Sequence, residues 1–279
     1  MSLLSFSTPS DFLQRRQTRA GRGELPLLAK KPLPGQTLLG PALVLLLWYV
    51  ASGFGWISAA KMPGPTVVIS SFFDMVESGT LLSDVTMSLQ RVAIALIAGV
   101  AAGFALAVAA GLTRLGDALI DGNVQIKRSI PNLALIPLFI IWLGIGEAMK
   151  VTIIAIGVAI PIYINTHAAL KGIDRRYVEL GQTVGLSRFR FLRHIVLPAT
   201  LPGFFTGLRL AVTNGWTALV VVETVNATSG IGYMITQART YGQTDVVLVG
   251  LVMYGILGFM SDAIVRLIER RVLSWRQSL

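Results

Sequence analysis

Long apolar runs separated by short polar gaps are the feature that most limits how this chain can fold. A helix needs roughly 20 apolar residues to cross the hydrocarbon layer of a bilayer. Runs that approach this length predict six spans, at about 37–57, 86–111, 119–145, 149–170, 200–225 and 246–268. Only 14% of the 279 residues are charged, whereas a soluble domain carries about 25%. The sequence therefore predicts an all-α polytopic membrane protein.

The flanks of these runs suggest a simple domain organisation. We expect a transmembrane domain at 36–272, between a flexible amino-terminal tail at 1–35 and a short tail at 273–279. The first apolar run reads as a retained span, because a cleavable leader would place a shorter run and a small-residue site sooner. Residues 62–85 are too polar to span, and their mixed pattern predicts an interfacial amphipathic helix.

The third predicted span contains Pro131 and Pro137. Proline removes a backbone donor and crowds the preceding turn, so both positions are expected to kink or break this helix. In the second span, small residues follow one another at intervals of four and so share one helix face: Gly99, Gly103, Ala107 and Gly111. Close packing inside one subunit is the main interpretation of that face, and a dimer seam is the alternative.

Basic residues account for a formal net charge of +10 and cluster between the apolar runs. Because they do not form one soluble patch, contacts with lipid headgroups explain them better than nucleic-acid binding does. The positive-inside rule places both termini and the polar segment 171–198 in the cytoplasm. The chain has no cysteine, which excludes thiolate metal sites, and its two histidines are not spaced as a metal pair.

Segment 171–198, here called the polar island, interrupts the apolar pattern with six Lys or Arg residues. The pattern predicts a helix from Asp174 to Val184, ended by Gly185, because glycine tolerates a left-handed turn. Ser187 is a plausible N-cap for a second short helix, which Pro198 is expected to end.

The order Glu179, Gly185 and Ile195-x-Leu197-Pro198 resembles the EAA loop of binding-protein-dependent ABC importer permeases. The two alanines that usually follow the glutamate are replaced here by Leu180 and Gly181. The resemblance covers about residues 36–275 and is closest to the branch of aliphatic sulfonate, taurine and nitrate permeases. Further matching segments are Ser88–Arg91, Ile130–Leu138, Trp142–Glu147 and Gly230–Gly232.

The resemblance implies a type I ABC importer permease fold, with six transmembrane helices and a cytoplasmic coupling helix in a bacterial inner membrane. It implies a homodimeric pore, a cytoplasmic ABC ATPase dimer and a periplasmic or lipid-anchored substrate-binding protein as partners. The residues implied to contact the ATPase are Glu179, Leu180, Gly181, Gln182, Thr183, Val184, Gly185 and Leu186.

The chain lacks a Gly-x-x-x-x-Gly-Lys phosphate loop, so ATP and Mg²⁺ are expected on the partner ATPase rather than here. No catalytic residue, cofactor or metal is predicted in this chain. An intramembrane enzyme would need paired carboxylates or a Ser/His constellation within the spans, and no such pattern is seen.

The cargo that the resemblance implies is a small anion, either an aliphatic sulfonate or nitrate. Polar residues inside spans often mark a pathway, and the candidates here are Arg128, Asn132, Asn214 and Glu223. Arg128 could equally lie near the cytoplasmic end and reach lipid headgroups. A secondary ion-coupled transporter is the alternative function: it would explain the broken third span but would not need the polar island.

Overall fold

The computed structural model describes residues 36–58 and 60–275, and this part of the chain is helical without a strand. The predicted all-α fold is therefore confirmed. The helices are α1 (Gln36–Gly53), α2 (Pro65–Glu77), α3 (Thr80–Leu112), α4 (Arg114–Ser129), α5 (Ile136–Leu143), α6 (Glu147–Lys171), α7 (Arg175–Thr183), α8 (Arg188–Val225), α9 (Ile231–Thr240) and α10 (Thr244–Val272).

Four of the described helices, α3, α6, α8 and α10, are long and apolar enough to cross a membrane. A fifth crossing is formed if α4 and the segment Asn132–Leu143, which meet at 95°, count as one broken span. The apolar part of α1, Leu39–Gly53, is shorter than a full span, so the count of six stays a prediction. The predicted tail at 1–35 lies outside the described residues, as do residues 276–279 of the predicted tail at 273–279.

The core is centred on α6, which packs along both α3 and α8. Ile154, Val158 and Ile162 of α6 are fully buried in it. Gly99 and Gly103 of α3 face α6 so closely that a Cβ on Gly99 would lie 2.5 Å from the Ala155 carbonyl oxygen. The small-residue face is thus occupied within the subunit, which confirms the packing interpretation and leaves no room there for a dimer seam.

The predicted break in the third span lies at Pro131 alone. Ile130 is extended (φ −91°, ψ 121°), and a short 3₁₀ turn at Asn132–Leu135 follows the proline. Pro137 was expected to disturb the helix as well, but it lies in the first turn of α5. Proline is favourable in that position, because the first amides of a helix have no intrahelical acceptor.

The polar segment 62–85 forms two elements rather than one amphipathic helix. Residues Pro65–Glu77 make α2, and the chain from Thr80 onward already belongs to α3. α2 packs on α10, with Val68 buried and Ser71 Oγ donating to Asp245 Oδ2 at 2.5 Å.

Candidate functional site

The polar island folds locally much as its sequence predicts. Asp174 caps α7 by accepting a hydrogen bond from the Arg176 amide at 2.9 Å. Gly185 ends the helix with φ +69°, a conformation that disfavours any residue with a Cβ. Ser187 then caps α8 through the Arg190 amide at 3.4 Å. The island thus presents a short helix and a sharp turn at one end of the molecule.

Position 181 shows why the island tolerates its departure from the two-alanine pattern. Gly181 is buried, and a Cβ there would lie 2.8 Å from Cδ2 of Phe191. A small residue is therefore required at this position, whereas Leu180 points outward with 57% of its surface exposed. Leu186 is half-buried, and the rest of the predicted contact set is exposed: Glu179, Gln182, Thr183, Val184 and Gly185.

The expectation that Pro198 ends the second island helix is wrong. This helix runs on without interruption into the membrane as α8. Proline removes one amide donor and crowds the carbonyl four residues earlier, here that of His194. His194 lies in a widened π-helical turn, Leu192–Val196, which only Leu197 separates from the proline. Because this turn is wider than an α-helical one, the helix can pass the proline, and the island is joined rigidly to a span.

A cavity of about 260 Å³ brings together three of the four predicted pathway residues, Arg128, Asn132 and Asn214. It lies where the α4–α5 break meets the middle of α6 and α8, and Gly157 of α6 forms part of its wall. Gly157 is about 15 Å along α6 from Glu147 and about 21 Å from Lys171, from a rise of about 1.5 Å per residue. We call this space the mid-depth cavity.

Lys127, next to Arg128, is fixed at the edge of the mid-depth cavity. Its ammonium donates to Asn132 Oδ1 at 2.8 Å, and Asn132 Nδ2 donates to the Ile153 carbonyl at 2.8 Å. The Asn132 side chain therefore links Lys127 of the broken span to the backbone of α6. Lys127 and Arg128 both line the cavity.

Glu223, the fourth predicted pathway residue, does not line this cavity. It is fully buried at the far end of α8 and pairs with Arg91, whose Nη1 donates to Glu223 Oε1 at 2.7 Å. Its carboxylate also accepts hydrogen bonds from Ser88 Oγ (2.9 Å), the Gly232 amide (2.9 Å) and Tyr254 OH (3.0 Å). A buried charge needs such partners, and here both oxygens of the carboxylate accept hydrogen bonds from them.

Arg91 connects this buried carboxylate to a second one. Its Nε and Nη2 donate to the two oxygens of Glu147 at 2.7 and 2.8 Å. Nη1 also donates to the Ser229 carbonyl at 2.6 Å. The set Ser88, Arg91, Glu147, Glu223, Ser229, Gly230, Gly232 and Tyr254 is here called the Arg91 network. It joins the start of α6 to the end of α8, the ends farthest from the polar island.

Gly230 shows how tightly the Arg91 network is packed. Its φ is +107°, and a Cβ there would lie 2.5 Å from Glu223 Oε1 and 2.6 Å from Arg91 Nη1. Its amide donates to Asp84 Oδ1 at 2.8 Å. Three segments that were recognised separately in the sequence therefore meet at one place. They are Ser88–Arg91, the segment that ends at Glu147, and Gly230–Gly232.

Sequence reasoning missed two members of this network altogether, Ser229 and Tyr254. Glu147 was noted only as the end of a motif, although an acidic residue directly before an apolar run could have suggested a partner for Arg91. Arg209, another basic residue within a span, pairs with Asp262 of α10 at 3.3 Å.

A third polar group lies near the island end of α6. His167 Nε2 is 3.0 Å from Asp117 Oδ1, and Lys171 Nζ is 2.7 Å from the same oxygen. Tyr163 OH donates to Asp121 at 3.1 Å. Within the described ranges, His, Asp and Glu side chains form no cluster of three arranged to hold a metal. The group ties α4 to α6.

Comparison with known proteins agrees with this arrangement. Residues 95–274 match the family described as "Binding-protein-dependent transport system inner membrane component". The "Putative aliphatic sulfonates transport permease protein SsuC" of Escherichia coli (strain K12) is 40% identical, over 84% of this chain and 89% of that protein. The protein of the same name from Bacillus subtilis (strain 168) is 35% identical, over 86% and 87% of the two chains.

The "Taurine transport system permease protein TauC" of Escherichia coli (strain K12) is 31% identical, over 84% of this chain and 87% of that protein. Among solved structures, a chain of the inward-facing MetNI methionine ABC transporter has a similar fold, with a TM-score of 0.59 at 22% identity. The similarity covers 70% of this chain and 97% of that one. The chain therefore belongs to the family of binding-protein-dependent transport system inner membrane components, and it is a multi-pass permease subunit of an ABC transporter.

Proposed function

We propose that this chain forms the translocation pathway of an ATP-driven importer for a small alkanesulfonate anion in a bacterial inner membrane. Two copies make the pore, surrounded by lipid, and both termini and the polar island face the cytoplasm. A cytoplasmic ABC ATPase dimer binds ATP and Mg²⁺ and contacts the island. A periplasmic or lipid-anchored binding protein delivers the anion to the opposite end.

The observation that carries this proposal is the exposed apolar surface of the polar island. Tyr177, Leu180, Val184 and Phe189 are each more than half exposed at the island end of the molecule. The basic residues of the island favour a cytoplasmic location, where lipid does not cover these side chains. A soluble partner would bury them, and a separate ATPase is the partner that the family resemblance implies.

The connection between the island and α8 supports a coupling role. A helix held in a groove of the ATPase transmits rigid-body motion when the ATPase closes. Because α8 begins inside the island and continues to Val225, displacement of the island moves a helix that lines the mid-depth cavity. The secondary ion-coupled transporter, which needs no such docking element, gains no support from the relatives.

The proposal is tested by Glu179→Lys in proteoliposomes that contain the ATPase and the loaded binding protein. We expect ethanesulfonate uptake and stimulated ATP hydrolysis to be lost, because the exposed acid that faces the ATPase is replaced by a bulky base. The matched control is Glu269→Lys, which makes the same charge change at the island end of α10. It should retain both activities.

Retention of uptake by Glu179→Lys would overturn the docking role of the island. Uptake by the wild-type protein that follows a proton or sodium gradient without ATP would overturn the importer itself. Nitrate as the competing cargo separates the anion classes: the proposal requires that excess nitrate leave ethanesulfonate uptake unchanged.

A further inference from the structure

The wall of the mid-depth cavity is cationic. Lys127 and Arg128 line it, and none of its lining residues is acidic. In the described part of the chain, no ion pair joins either cation to a carboxylate. A cation at membrane depth is costly unless something compensates its charge, so this wall favours an anion.

Neutral polar groups of the same cavity could complete a ligand shell. Asn132, Asn214 and Thr217 line it together with the two cations. Lysine has three N–H donors, and the hydrogen bond to Asn132 uses one of those on Lys127. The guanidinium of Arg128 offers a planar fork that matches two oxygens of an oxyanion.

The size of the cavity restricts the ligand. About 260 Å³ lies just below the range of about 300–1,000 Å³ that is usual for drug-sized ligands. One sulfonate group with a short carbon chain suits this volume better than a larger molecule does. Gly157 helps to keep the space open, because a Cβ there would lie 3.0 Å from Asn132 Nδ2.

We propose that the permease itself holds a binding site for one alkanesulfonate anion in the mid-depth cavity, with Lys127 and Arg128 as the ligands of the sulfonate oxygens. Asn132 is a positioning residue that fixes the ammonium of Lys127. This proposal rests on the proposed function and adds to it a second point of selection after the binding protein. Arg128, which the sequence left between pathway and headgroup contact, is assigned here to the anion.

The test measures binding of radiolabelled ethanesulfonate by equilibrium dialysis to the purified permease–ATPase complex without binding protein. Phosphatidylcholine nanodiscs keep anionic lipid out of the cavity. A charge-assisted hydrogen bond contributes about 1.5–3 kcal/mol, so Lys127→Gln should weaken binding by about tenfold to a hundredfold. The matched control Lys61→Gln alters an exposed lysine outside the cavity and should bind like wild type. Co-purification of the ATPase with each variant reports assembly.

Asn132 is tested by a double-mutant cycle. If it acts through the lysine, Asn132→Ala should weaken binding in the wild-type background but have little further effect in the Lys127→Gln background. A merely structural role would weaken binding in both backgrounds and would overturn the assignment of Asn132.

Two comparison ligands test whether the site selects a sulfonate, and ATP hydrolysis with loaded binding protein tests the proposed function separately. Diethyl sulfone, which is uncharged, and propionate, which carries a carboxylate, should bind at least about tenfold more weakly than ethanesulfonate. Equal binding of either ligand, or of ethanesulfonate to Lys127→Gln, would overturn the site. If the wild-type complex binds no ethanesulfonate yet responds to loaded binding protein with ATP hydrolysis, this inference fails and the proposed function stands. If it does not respond to loaded binding protein at all, the proposed function fails.

Discussion

The substitution Glu223→Gln is the sharpest test of the Arg91 network, because it changes a charge with almost no change in shape. The native carboxylate accepts hydrogen bonds from Arg91, Ser88, Gly232 and Tyr254. The amide has one acceptor oxygen, so its NH₂ group must face donors on one side. Breaking a buried ion pair by removing one partner costs about 3–5 kcal/mol. We expect about 3 kcal/mol, since Arg91 keeps its bonds to Glu147.

This loss converts into a measurable melting shift. For a protein of this size, 1 kcal/mol corresponds to about 2–4 °C in the melting temperature, so Glu223→Gln should melt about 6–12 °C lower. The assay is thermal unfolding of the purified chain in detergent, followed by tryptophan fluorescence. Glu77→Gln, an identical change at an exposed residue of α2, should stay within about 0.5 kcal/mol of wild type. If the two variants melt within about 2 °C of each other, the reasoning about the network is refuted.

Two further predictions concern glycines. Gly99→Ala places a Cβ against the Ala155 carbonyl and Val158, so overpacking should lower the free energy of unfolding by about 1–3 kcal/mol. The control Gly258→Ala, whose Cβ meets open space, should unfold like wild type, and equal stability of the two variants would contradict the packing of α3 on α6. Gly185→Ala should strain the island turn by about 1–2 kcal/mol and lower stimulated ATP hydrolysis while the melting temperature of the spans is retained; unchanged hydrolysis would show that the turn geometry is not needed.

Local rules predicted the parts of this fold whose cause is local. The Ser187 cap, the left-handed turn at Gly185 and the break at Pro131 each depend on a few neighbouring residues. Pro198 was misjudged because the sequence pattern did not reveal the widened turn, Leu192–Val196, that precedes it.

The candidate sites were predicted less completely, for a physical reason. Glu223 was identified as unusual because a charge inside a span is costly, but its partners Arg91 and Ser88 lie far away in the sequence. A single sequence carries no signal for which distant side chains satisfy it. The cost of a polar group inside a span also pointed to Arg128, Asn132 and Asn214. Only the fold shows that these three residues share one cavity.

The close contact between α3 and α6 has a mechanical consequence. Where Gly99 and Gly103 meet the backbone of α6, neither helix can slide along the other without a side chain striking a carbonyl. These two helices must therefore travel as one solid piece during a transport cycle. The 95° joint at Pro131 is the place left for a hinge, between the contacts that Asp117, Asp121 and Asn132 make with α6.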